Sequence, residues 1–331
     1  MSPRRGTLAF LYALPFVLLF AALLVGRYGG GPGDVLRALF SADGDGILRS
    51  VVLRVRLPRA IAALLVGANL AVAGAVLQGL FRNPLVDSRI LGVSSGAAFG
   101  AALAILVSGG ALAVQTSAFA FALLAVVLVL CVGWRLGAAP LVLILIGIAV
   151  SALFDSSLGL VKYVADPLSK LPSITYWLLG GLGGASWSNL VPLLVLSPLG
   201  LGFLFLIRWR LNVLTLGDDE ATSLGVRVRP LRAGAIAAAA LLVAASVAQA
   251  GTIGWIGLVI PHVARSWAGP DHARLVPASA ALGGAVLVAL DTTARTALAS
   301  EIPLGILTGL LGVPAFLFLL GGYVRQKEGI R

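Results

Sequence analysis

The sequence is poor in the residues that most enzymes use for chemistry. In 331 residues it has one cysteine, two histidines and one methionine, the initiator. A single cysteine excludes a disulfide framework and a Cys-rich metal site. His262 and His272 flank a break in the apolar pattern and read as hydrogen-bonding residues near helix ends, so no metal ligand set is expected. Charge is scarce too, at 11% of residues, roughly half of what a soluble domain carries. The lysines are Lys162, Lys170 and Lys327, and none ends a G-x-x-x-x-G-K-[ST] loop, which excludes P-loop binding of ATP. Among the few acids, Asp155, Asp291 and Glu301 fall near the ends of apolar runs. Ion-coupled carriers place ionisable groups or broken helices at mid-membrane, so the chain reads as a conduit without its own engine. No catalytic residue is expected.

What the sequence has in abundance is apolar length. Apolar residues make up 59% of the chain, and mean hydropathy is +1.03. Runs long enough for a bilayer of about 30 Å recur throughout. They are Gly6–Gly26, Ala60–Phe81, two spans within Ile90–Trp134, Leu136–Phe154, and one span after a Gly-rich loop, Gly180–Asn189. Ala233–Ala250, a short or broken Gly251–Ala268, 273–295 and 303–324 follow. The expectation is an all-α membrane protein of about ten transmembrane helices, one polytopic domain over residues 1–331. The basic start followed by an apolar run resembles a signal peptide, but the run is long and reads as a retained first helix.

The formal charge of +11 sits in short breaks between these runs, which fits basic loops of a membrane protein and no nucleic-acid partner. Basic clusters at Arg4-Arg5 and at Arg325, Lys327 and Arg331 put both termini in the cytoplasm, consistent with an even span count. Against that trend, the first external segment carries Arg37, Arg49, Arg54, Arg56 and Arg59, and Arg295 adds an external cation. Snorkelling at the membrane interface is one reading. A docking patch for a partner's carboxylates is the other. The longest cytoplasmic break, Arg208–Arg232, reads as two short helices, with Asp218 or Asp219 as a cap and Gly217 and Gly225 as brackets. Such a loop is either a solvated connector or a handle for a soluble motor. Gly92, Gly96 and Gly100 share a helical face, as do Gly305 and Gly309, either as packing seams or as a path or subunit interface.

Taken together, several stretches resemble the FecCD/BtuC-type permease subunits of type II ABC importers, which carry iron–siderophore complexes, haem and cobalamin. They are Arg56-Leu-Pro-Arg59, Ala73-Gly74-x-x-x-Gln78 with Asn83-Pro84-Leu85, Leu91–Ala97 and Leu211–Gly225. Ala250–Arg265, Asp291–Arg295 and Glu301–Gly305 complete the set, and the resemblance runs from about residue 50 to 320. It implies the type II importer permease fold with an inverted repeat. It also implies a second permease subunit, two ATPase subunits that use ATP and Mg, and a periplasmic or surface substrate-binding protein. No cofactor would be bound by this chain. By the same resemblance, Arg56, Arg59 and Arg295 receive glutamates of the binding protein. The coupling loop would present Leu216, Gly217, Asp218, Asp219, Ala221, Ser223, Leu224 and Gly225 to the ATPase. Asn83, Pro84 and Leu85, with Leu141 and Val142, would form the inner gate. Leu141-Val142 departs from the small hydroxyl residues expected of a cobalamin importer, which disfavours that cargo. Iron–siderophore is the first choice, then haem and cobalamin, with an oxyanion as a minor option. The interval from Ala73-Gly74 to Pro84 equals that from Ala250-Gly251 to Pro261, an echo that fits an inverted repeat. A stand-alone carrier or channel is the alternative, and a non-transporting scaffold a third reading.

Overall fold

The computed structural model describes residues 5–28, 31–41, 46–87, 89–137 and 139–328. The terminal basic clusters lie outside the described residues, either wholly or in their side chains. The chain runs α1 (Arg5–Leu24), α2 (Pro32–Phe40), α3 (Gly46–Val51), a π-helical turn (Val52–Arg56) and α4 (Leu57–Leu80). It continues with α5 (Val93–Leu106), α6 (Ala111–Arg135), α7 (Pro140–Val164), α8 (Lys170–Leu179) and α9 (Trp187–Leu216). The last elements are α10 (Asp218–Ser223), α11 (Val228–Ala250), α12 (Ile256–Ala268), α13 (His272–Thr296) and α14 (Leu304–Glu328). No strand occurs among the described residues.

Six segments are long and apolar enough to cross a membrane: Gly46–Leu80, which contains α4, and α6, α7, α9, α11 and α13. Shorter apolar helices occupy Ala9–Leu24, Val93–Leu106 and Leu304–Leu319. With α12, these account for the ten spans read from the sequence.

The hub is α4, whose most apolar window is 83% buried. Its composition explains this position, because alanine and glycine let neighbouring backbones come close. A Cβ on Gly67 would lie 2.2 Å from the carbonyl oxygen of Gly283 in α13, and one on Gly74 would lie 1.8 Å from that of Gly257 in α12. On α5, Gly96 and Gly100 face the backbone of α6 at Phe121 and Ser117. Gly92 does something else: it precedes α5 with φ +75° and faces Val150 of α7.

A motif occurs twice: a long buried helix, a non-helical break, then a short helix. Residues 81–92 separate α4 from α5, and residues 251–255 separate α11 from α12. The residues before both short helices have positive φ, Gly92 at +75° and Trp255 at +70°. For tryptophan this is a costly conformation. Trp255 is held there against Gly312 and near Phe316, 6.2 Å between ring centroids. Gln78 ties the first break to α12, the short helix after the second. Its Nε2 donates to the carbonyls of Val86, Gly257 and Leu258 at 3.3–3.4 Å, and its Oε1 accepts from Arg265 at 3.2 Å.

Three sequence readings require correction. The fifth span does not end at Phe154: α7 continues to Val164, so Asp155 lies well inside a membrane helix. Arg208–Arg232 does not hold two short helices, because α9 runs on to Leu216 and only α10 stands free. Neither Asp218 nor Asp219 caps α10. Gly217 is the cap residue, and the Asp218 carboxylate is drawn away to arginines that offer stronger, charged hydrogen bonds.

Candidate functional site

Arg56, Arg59 and Arg295 meet at one end of the molecule, where α1, α4 and α13 pack together. They are not presented as free cations. Arg56 is buried and donates to the carbonyls of Leu23, at 2.8 Å, and Tyr28. Arg59 is buried as well. Its Nε and Nη2 grip the carboxylate of Asp291 at 2.9–3.1 Å, and its Nη1 donates to Glu301 at 2.8 Å. Arg295 donates to the carbonyl of Ala22 and lies 4.0 Å from Asp291. Burial explains this commitment, since a charge taken from water must be paired and hydrogen-bonded. Glu301 is the half-exposed member, and the Arg59 hydrogen bond holds its carboxyl below the usual range. Arg49 and Arg54, on the segment leading to Arg56, have exposed side chains. The sequence reading picked out the arginines but not the acids that neutralise them, because Asp291 and Glu301 are more than 230 residues away in the chain.

At the other end of α4 lies the turn Asn83-Pro84-Leu85. The Asn83 side chain accepts from the Leu85 amide at 2.9 Å, a local brace that fixes the turn. Arg82, just before it, donates to Asp218 Oδ1 at 3.0 Å. The same carboxylate accepts two hydrogen bonds from Arg232, at 2.5 and 3.0 Å. The Arg232 bonds, followed by the nearby charges, lower the Asp218 pKa. Thus α10 is fastened both to the turn and to the start of α11. Ala221 is buried on its inner face, while Leu216, Asp219, Ser223, Leu224 and Gly225 are exposed. Gly225 closes the helix at φ +79°, where its amide bonds Thr222 and that of Val226 bonds Ala221.

Leu141 is exposed and Val142 half-buried at the start of α7. Of the gate residues read from the sequence, Leu85 lines a cavity of about 540 Å³, and Leu141 and Val142 are not in its lining. Asp155, Arg89, Ser94, Ser95 and Ser151 share that cavity. A second cavity of about 700 Å³ lies near the arginine end and is lined by Arg59, Glu301, Gln115, Gln249, Asn189 and the loop Gly180–Gly184. His262 bonds the Leu258 carbonyl, and His272 bonds Asn212, which also holds Asp271. Among the described residues no three His, Cys, Asp or Glu side chains gather as metal ligands do.

The sequence model of the FecCD transport family matches residues 14–321. The molybdate import system permease of Haemophilus influenzae is 40% identical over 314 residues, covering 92% of this chain and 93% of that protein. The iron(3+)-hydroxamate import system permease of Bacillus subtilis is 37% identical over 325 residues, covering 95% and 96%. Among solved structures, a chain described as a metal-chelate type ABC transporter in an inward-facing conformation superposes with a TM-score of 0.88 at 38% identity. That match covers 96% of this chain and all of the other.

Proposed function

The chain belongs to the FecCD transport family, and from that premise we propose that it forms the translocation path of an ABC importer for a metal chelate. Iron–siderophore is the first candidate cargo, with haem and then cobalamin behind it. The relatives' names differ in cargo, so the family alone does not select one. The unit is two identical copies of this permease, two ATPase subunits using ATP and Mg, and one external binding protein, in the cytoplasmic membrane with both termini inside.

The observation that carries this reading is the Asp218 junction. The exposed face of α10 suits a groove on a motor subunit. Its buried side is tied by charged hydrogen bonds to Arg82, one residue before Asn83-Pro84-Leu85. A displacement of α10 therefore pulls on the inner turn and on α11 together, which couples a soluble engine to a gate. This chain performs no covalent step and would cycle between outward-open and inward-open states.

At the outer end, Arg56, Arg59 and Arg295 remain the proposed docking residues, with a condition set by their burial. A partner's glutamate reaches Arg59 by displacing Glu301, while Arg49 and Arg54 stand ready for first contact. Reconstitution in liposomes with the ATPase and binding protein tests the scheme. Uptake that needs ATP and both partners supports it. Uptake by the chain alone, driven by an ion gradient, would establish the second reading, an ion-coupled carrier, which Asp155 inside α7 favours.

A further inference from the structure

Asp155 sits where a carboxylate has to be explained. It is the sixteenth residue of α7, about 22 Å along a helix rising 1.5 Å per residue, within a bilayer core of about 30 Å. Its side chain is exposed. An exposed carboxylate at that depth cannot face hydrocarbon cheaply, so that face of α7 looks onto water or protein.

The opposite wall gives the answer. The cavity of about 540 Å³ lies between α7, the first turn of α5 and the break 81–92. Ser151, one turn before Asp155, shares its wall. Ser94 is 92% buried, lines the cavity, and has no hydrogen-bond partner among the described residues. Ser94 and Ser95 also lie in the first turn of α5, whose backbone N–H groups precede the first helical hydrogen bond. These are polar groups built toward an empty volume.

The charges decide what fits there. The lining holds three ionisable side chains: Asp87, Arg89 and Asp155. Arg89 is neutralised by Asp87 at 2.6 Å, which leaves Asp155 as the one unbalanced full charge in the lining, larger than the roughly half positive charge of the α5 N-terminus. A tetrahedral oxyanion offers only acceptors and a like charge to that carboxylate. A neutral or cationic chelate with amide or hydroxyl donors satisfies Asp155, and the serine hydroxyls serve its oxygens.

We propose that this cavity is an aqueous station on the cargo path, set by Asp155 to pass neutral or cationic, hydrogen-bonding chelates and to disfavour oxyanions. It rests on the reading of the chain as a translocation path, and it narrows the cargo within that reading.

Cysteine labelling tests the proposal without partner subunits, ATP or cargo, so its failure is separate from failure of the uptake assay. Ser151→Cys and Ser95→Cys, each with Cys131→Ala, are placed in lipid nanodiscs as full chains. Each is treated with a cationic and an anionic methanethiosulfonate, and rates are normalised to those of a small free thiol. The expected result is labelling from water at one or both positions, with the cationic reagent favoured about tenfold, the scale of one partly screened charge. Asp155→Asn should collapse that preference. Protection of both cysteines from both reagents, an anionic preference, or a cationic preference that survives Asp155→Asn would overturn the proposal.

Discussion

Asp218 and Arg82 are 3.0 Å apart, although 136 residues separate them in the chain. The acid belongs to the short helix α10 and the cation to the turn that follows α4. Their contact makes two separate sequence motifs one mechanical unit, and Arg232 completes it.

Asp218→Asn should uncouple that unit and also lower the unfolding temperature, because the carboxylate is half-exposed but its partner Arg232 is buried. In the reconstituted importer, uptake per ATP hydrolysed should fall about tenfold, the scale of one charge-assisted hydrogen bond. Arg82→Gln should produce a similar loss. The double variant should be no worse than the more damaging single one, because both remove the same link. Additive losses would show that the two residues act independently.

The buried ion pair should be less forgiving. Asp291→Asn leaves Arg59 charged and buried with only Glu301 opposite, which costs about 3–5 kcal/mol when a buried partner is lost. Glu301→Gln should cost far less, since that carboxylate is 37% exposed. Thermal unfolding of the purified chain in detergent checks the order. By the same logic, charge reversal of Arg56, Arg59 and Arg295 together would collapse the outer end, so Arg49→Glu with Arg54→Glu is the cleaner docking test. It should weaken binding-protein affinity, most at low salt, and leave the unfolding temperature unchanged.

Acid should reveal the carboxylates held by arginines at the two ends of α4. Asp218 and Glu301 have depressed pKa values in the fold, through Arg232 and Arg59 respectively. A depressed carboxylate contributes stability that is complete above its unfolded value, about 3.9 for Asp and 4.3 for Glu, and is lost as pH falls through the folded value. The unfolding temperature should therefore be insensitive to these groups from pH 8 to about 5 and drop below about 4. The variant Glu301→Gln should show a shallower acid drop than the unchanged chain.

Helix packing gives a sharper contrast. Gly67→Ala forces a Cβ to 2.2 Å from a backbone oxygen that cannot swing aside, and overpacking of this kind costs about 1–3 kcal/mol or more. Gly159→Ala on α7 meets nothing within 4 Å and should be neutral or stabilising by up to about 1 kcal/mol, through helix propensity. Thermal unfolding of the two variants side by side measures the difference.

The sequence by itself determined the all-helical membrane class, the ten apolar segments and the family, because bilayer thickness and hydrophobic run length are properties of contiguous residues. It marked the breaks at Asn83-Pro84 and Gly251–Trp255 through glycine and proline. It also picked out the arginines, whose clustering at Arg49, Arg54, Arg56 and Arg59 is visible without any fold. Their pairing was decided only in three dimensions. A guanidinium such as that of Arg59 looks the same in sequence whether it faces a partner or Asp291, and desolvation on packing settles which. The end of α7 was likewise undecided by hydropathy. A charge such as Asp155 reads as the edge of a span until the fold supplies a polar cavity beside it, where a carboxylate can remain inside a membrane helix.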